Sequence, residues 1–135
     1  MKILAIDFGA KRMGLAVGDT GTRSASPLPP LQHTSEADDL ARLSDICAAY
    51  EVDEILLGLP LNMNGSEGKI AARVRGFADV LRARLNTPVR FIDERLSSFE
   101  AEQVLAPLGY SPKKKKRLLD SVAAWIILKE FLEIE

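Results

Sequence analysis

An unbroken apolar run opens the chain, and amphipathic stripes dominate its later part. Ile3, Leu4, Ala5 and Ile6 follow one another without a polar break and end at Asp7. Such a run predicts a central strand over residues 2–7, covered on both faces. Phe8 to Arg12 reads as a turn, and Met13 to Gly18 as a second strand paired back as a hairpin. Asp19-Thr20-Gly21-Thr22 is another turn signal. A third short strand falls between Ser24 and Leu31. Pro27, Pro29 and Pro30 place it at a sheet edge, because proline has no amide hydrogen to give a ladder.

The period then changes to that of a helix. Thr34 or Ser35 can cap a helix running to about Tyr50, with Leu40, Leu43, Ile46 and Cys47 as its apolar stripe. Glu54 to Gly58 reads as a short strand, and Leu59 to Gly65 as a loop. The next helix is predicted from Ser66, as N-cap, to Leu85, with Ile70, Val74, Phe77, Leu81 and Leu85 at helical spacing. Pro88 to Asp93 alternates like a strand. Ser97 and Glu100 form a capping-box pattern for a short helix ending near Leu105, which Pro107, Gly109 and Pro112 terminate. A last helix covers roughly Lys115 to Leu132.

Three strands, then helix, strand, helix, strand and two helices make an α/β pattern. It predicts a single domain over residues 1–135, with hairpins feeding a central mixed five-stranded sheet flanked by helices. No internal repeat or long linker interrupts it.

Composition narrows the class. The 135 residues are 47% hydrophobic and 27% charged, as in an ordinary globular protein. Cys47 is the one cysteine, so no internal disulfide is available, which fits a reducing compartment. The opening apolar run is too short for a secretory signal and no stretch approaches a membrane span, so the expected address is the cytoplasm. The net charge of -1 names no partner. The run Lys113-Lys114-Lys115-Lys116-Arg117 is either a solvated helix end or a contact to a phosphate backbone, since clustered cations release counterions from nucleic acid.

Carboxylates carry the candidate chemistry. Asp7 ends an apolar strand, where sites gather in open α/β sheets; its plain alternative is a turn-forming aspartate before glycine. Asp120 sits in an almost wholly apolar helical segment, sharing a face with Ala123, Ala124 and Ile127. An ionised carboxylate there is costly unless paired or bound to metal, the alternative being a cap in the helix's first turn. Asp93-Glu94-Arg95 ends the last strand, and one of its acids is expected in the same crevice. Three carboxylates from separate segments suit Mg²⁺ or Mn²⁺, which bind substrate phosphates and activate water for phosphodiester displacement. No His/Cys cluster exists for zinc, and His33, the single histidine, reads as a surface residue in a loop.

Four blocks together resemble the bacterial YqgF family, also called RuvX. They are Ala5-Ile6-Asp7-Phe8-Gly9-Ala10-Lys11-Arg12-Met13-Gly14-Leu15-Ala16-Val17-Gly18-Asp19, then Gly58 to Gly68, Asp93-Glu94-Arg95-Leu96-Ser97-Ser98, and Asp120-Ser121-Val122-Ala123-Ala124. They span almost the whole chain in the family's order. The resemblance implies an RNase H-like nuclease core using Mg²⁺ or Mn²⁺, with Asp7, the pair Asp93-Glu94, and Asp120 as active-site acids. Many RNase H-like enzymes carry a further acid on the strand beside the first. Here that strand ends in Gly58-Leu59-Pro60, so the 93–94 pair must supply the ligand. Glu94 is preferred over Asp93 for its longer reach. That gives Asp7, Glu94 and Asp120 as catalytic residues, and Asp7, Asp93, Glu94 and Asp120 as metal ligands.

Nucleic-acid contacts are expected from Lys11 and Arg12 beside Asp7, from Asn62, Asn64 and Ser66 before a helix start, from Arg95, and from Lys113 to Arg117. The resemblance makes an endonuclease processing the 5′ end of precursor 16S rRNA the leading expectation, with a ribosomal subunit precursor as a candidate partner. Cleavage of branched DNA such as a Holliday junction is the alternative. A non-catalytic nucleic-acid or ribosome-binding module and a nucleotide-dependent phosphotransferase are the competing classes. The latter shares the Asp7-Phe8-Gly9 hairpin but needs a second domain to close over nucleotide.

Overall fold

The structure, a computed structural model, describes residues 1–60, 64–93 and 103–134. Within the last helix, the side chains of residues 116, 117, 120, 133 and 134 lie outside that description. Strands β1 (Lys2–Phe8), β2 (Arg12–Asp19), β3 (Ser24–Gln32), β4 (Glu54–Leu59) and β5 (Val89–Asp93) form one sheet in the order β3-β2-β1-β4-β5. β1 pairs antiparallel with β2 and parallel with β4, so the sheet is mixed, as the pattern predicts. The prolines of β3 lie on an edge strand, also as predicted.

Alternation along β1 divides the core in two. Leu4 and Ile6 point to one face, where helices α1 (Glu36–Ala49) and α2 (Lys69–Leu85) bury Leu40, Leu43, Val74, Phe77 and Leu81. Ile3 and Ala5 point to the other, where helix α3 (Pro112–Ile134) lays Ala124, Ile127, Leu128 and Phe131 against the sheet. Burying a large aliphatic side chain stabilises by about 1.5–3 kcal/mol, which is why both faces of β1 are apolar. Gly18 lets α3 come close: a Cβ there would run into the Ser24 carbonyl and the Leu128 side chain. Trp125 Nε1 donates to the Ala25 carbonyl at 3.1 Å and ties α3 to the edge strand.

Several boundaries differ from the sequence expectation. Ser66 does not cap α2; its N–H and hydroxyl both donate to Asn64 Oδ1, at 3.0 and 2.6 Å. The N-cap is Gly68, and Asn86 closes the helix in the left-handed conformation. Ile70 is 56% exposed, because the buried stripe runs through Ala71, Val74, Ala78 and Leu81, where small residues let the helix sit close. Helix α3 begins at Pro112 rather than Lys115. Proline suits a first helical position, and Ser111 Oγ accepts the Lys114 N–H at 3.3 Å. Of the expected helix over 97–105, residues 103–105 are helical and 94–102 lie outside the described residues.

Candidate active site

Asp7 is the buried carboxylate nearest the carboxyl end of the central strand, 8% exposed. It pairs in register with Gly14 of β2, and by alternation it shares the α3 face with Ile3 and Ala5. One step beyond the Ile6–Leu57 pair, Gly58 of β4 stands level with it and brings no side chain to that face. The strand beside the first thus offers no acid level with Asp7.

Helix α3 lays the turn that contains Asp120 against β2, the strand next to the one that carries Asp7. Ser121 is 3% exposed, and its Oγ accepts the Leu15 N–H at a long 3.5 Å. The pairing of β2 with β3 shifts register between Met13 and Leu15, so this amide sits at an irregularity in the ladder. Leu15 follows Gly14, the partner of Asp7, and Asp120 precedes Ser121. Asp120 is the ninth residue of a helix that starts at Pro112, two turns past any N-cap position. The first-turn cap alternative is thereby removed. Its helical position lies one turn before Ala124 and two before Ile127, both packed on the sheet.

The third acidic segment is placed in part. Asp93 pairs with Leu59 at the end of β5 and is exposed; alternation puts it with Val89 and Phe91 on the α1/α2 face, opposite Asp7. Glu94 and Arg95 lie outside the described residues, as does Asn62. Among the described residues, no group of three or more His, Cys, Asp and Glu side chains is gathered as a metal site, and two proposed ligands, Glu94 and the Asp120 side chain, are not among them.

The expected basic contacts separate. Lys11 is exposed and Arg12 half-buried at the β1–β2 turn, beside Asp7. Asn64 and Ser66 are exposed and bonded to each other. Lys113, Lys114 and Lys115 occupy the first turn of α3, with the Lys114 ammonium 4.4 Å from the Tyr110 ring centroid. Lys116 and Arg117 continue that helix, their side chains outside the description. That first turn holds no acidic residue. Cations there oppose the helix dipole, at about 0.3–1 kcal/mol each, so the run is not placed for helix stability.

Sequence reasoning missed two residues beside the site. His33 is not a free surface residue: 19% of its side chain is exposed, and its ring meets Asp39 Oδ2 and the Gly9 carbonyl, each at 2.8 Å. Asp39 is buried. Burial pushes its carboxyl up, but hydrogen bonds from His33, the Thr34 N–H and Arg42 outweigh that and hold it below the usual value. Its place in an ordinary acidic first turn hid this role.

The family model described as RuvX, Holliday junction resolvase, matches residues 1–134. The chain belongs to the RuvX family. RuvX relatives named "Putative pre-16S rRNA nuclease" include one from Anaeromyxobacter dehalogenans, 44% identical over 98% of this chain and 97% of its own. One from Clostridium acetobutylicum is 39% identical over 98% of each. Among solved structures, Thermus thermophilus RuvC in complex with a Holliday junction superposes with a TM-score of 0.59 at 16% identity, over 99% of this chain and 94% of that one. The fowlpox virus Holliday junction resolvase does so at 0.60 and 13%, over the whole of both chains. These two show the RNase H-like fold. As a RuvX protein the chain is a hydrolytic nuclease.

Proposed function

We propose that this RuvX protein is a divalent-metal-dependent endonuclease, acting as a single domain, that trims precursor 16S rRNA at its 5′ end. Asp7, Glu94 and Asp120 are its catalytic carboxylates. The observation that carries the reading is the buried Asp7 at the end of β1, with the Asp120 turn of α3 held one residue away from the Leu15–Ser121 contact. A buried carboxylate at the carboxyl end of a central strand is a hard oxygen ligand of the kind divalent cations take. The donor set fits Mg²⁺ or Mn²⁺, with Asp7, Glu94 and Asp120 as ligands; bound there, the ion would polarise the phosphate and activate water. The placement of Asp93 on the opposite face supports Glu94 as the ligand of that pair.

The chain's own cations do the positioning. Lys11 and Arg12 beside Asp7 receive the phosphates flanking the cut, with Asn64 and Ser66 before α2 and Arg95 after β5. Lys113 to Arg117 hold the backbone farther along. The names of the relatives favour ribosomal RNA, and hence the cytoplasm and a ribosomal subunit precursor as partner. The family model's own description favours a four-way DNA junction as the second substrate. Among the described residues, no helix is long and apolar enough to cross a membrane.

Incubation with precursor 16S rRNA and with a synthetic four-way junction, in Mn²⁺ or in EDTA, tests the reading. Discrete Mn²⁺-dependent cleavage of the RNA is expected. Cleavage of the junction alone would transfer the function to DNA, and binding without cleavage of either would leave a nucleic-acid-binding module.

A further inference from the structure

The turn that follows Asp7 is held from outside by His33. Gly9 N–H donates to the Arg12 carbonyl at 2.9 Å and closes the turn. His33, just past β3, donates its backbone N–H to the Lys11 carbonyl at 3.0 Å. Its ring then spans two acceptors, the Gly9 carbonyl on Nε2 and Asp39 Oδ2 on Nδ1, both at 2.8 Å. Phe8 packs against the imidazole at 5.0 Å between centroids, and against Phe77 at 4.8 Å. Asp39 is itself fixed, accepting the Thr34 N–H at 3.2 Å and Arg42 at 2.8 Å.

Carbonyl and carboxylate oxygens only accept. A neutral imidazole donates from one nitrogen; both bonds form together only when both nitrogens carry protons. We propose that His33 is a positioning residue of the nuclease, its doubly protonated ring tying the turn after Asp7 to Asp39 of helix α1. The inference rests on Asp7 being catalytic. Gly9 lies two residues beyond Asp7 in a tight turn, so releasing its carbonyl shifts the backbone that carries the carboxylate. A misplacement of about 1 Å can cost about a hundredfold in rate.

The ring is reachable by solvent protons. It lines an open cleft of about 240 Å³ with Ser35, Glu36 and Arg73. The charged groups around it are Asp39, Arg42 and Glu36 from α1, Asp38 on the Thr34 hydroxyl, Arg73 from α2 at 5.9 Å from the Phe8 ring, and Lys11 of the turn. The protonated ring is the form that holds the turn.

The chain has a single histidine, so its imidazole nitrogens give one set of NMR signals. We expect those signals to report a proton on each nitrogen, one directed at the Gly9 carbonyl and one at Asp39. We also expect His33→Ala to lower kcat for Mn²⁺-dependent RNA cleavage by roughly tenfold or more at unchanged KM. His33→Gln, which keeps one donor, should fall between them and serves if the alanine variant fails to fold. A ring bearing one proton, or wild-type kcat in a variant that only melts earlier, overturns the proposal. Because Asp7→Asn is assayed alongside, an active Asp7→Asn protein condemns the catalytic reading. An inactive one beside a fully active His33 variant condemns this inference alone.

Discussion

Leu15 N–H and Ser121 Oγ, 106 positions apart in sequence, meet 3.5 Å apart where helix α3 crosses the second strand. The contact satisfies an amide at a ladder irregularity and seats the turn preceding Ala124 beside the strand pair that carries Asp7 and Gly14. Ser121→Ala leaves that buried amide without its acceptor. It should cost about 1 kcal/mol in urea denaturation. Cleavage should fall by more than the lower stability explains, because the Asp120 turn loosens. A variant with the same drop in stability and full activity would detach Ser121 from the site.

Asp120 is too deep in α3 to act as a cap, and its reading as a ligand has a thermal signature. Acids sharing a crevice repel one another without a cation. Asp120→Asn should therefore melt slightly higher than wild type in EDTA and gain less from Mn²⁺, which stabilises a native state in proportion to how tightly it binds. Melting curves of both proteins with and without Mn²⁺ decide it. An equal metal-induced shift would leave Asp7 and the 93–94 pair as the remaining acids.

Lys113 to Lys115 sit at the positive end of α3, where they work against the helix. Replacing Lys113 to Lys116 with glutamine should flatten the salt dependence of RNA binding, by roughly 0.7 in log–log slope for each phosphate no longer neutralised. The same variant should be no less stable. An unchanged slope would return the run to solvent.

The Asp39 carboxyl is held below its ordinary value of 3.8 by its hydrogen bonds with His33, Thr34 and Arg42, against its burial. A lowered carboxyl contributes stability that is complete above 3.8 and lost as pH falls below it. Asp39→Asn should cost about 1–3 kcal/mol at neutral pH. The difference from wild type should shrink on acidification toward about pH 3. A constant difference down to that pH would show that the carboxylate charge is not what anchors His33.

The sheet, its edge strand and both helical layers are legible in the sequence because apolar runs and stripes of period 2 and 3.6 report burial directly. Asp7 stands out for the same reason, as a charge closing an apolar strand. Meetings between distant segments are not legible. His33 and Asp39 are six residues apart, but their approach to Gly9 requires β3 to run beside β2. The start of α3 is ambiguous in the sequence because Ser111-Pro112 has the look of a breaker, whereas proline at a first helical position is a start signal. Ser66 misleads because Asn64 competes for it, a local side-chain turn that spacing rules do not weigh.

The proposed mechanism stands on buried Asp7 as a catalytic carboxylate. Asp7→Asn removes the charge and keeps the shape, so the fold should survive while metal affinity drops. The direct measurement is single-turnover cleavage of precursor 16S rRNA in Mn²⁺ by wild type and by Asp7→Asn, with folding checked by melting. Wild type should give discrete products and a folded Asp7→Asn protein no more product than in EDTA. Wild-type turnover by that variant would contradict the proposed mechanism.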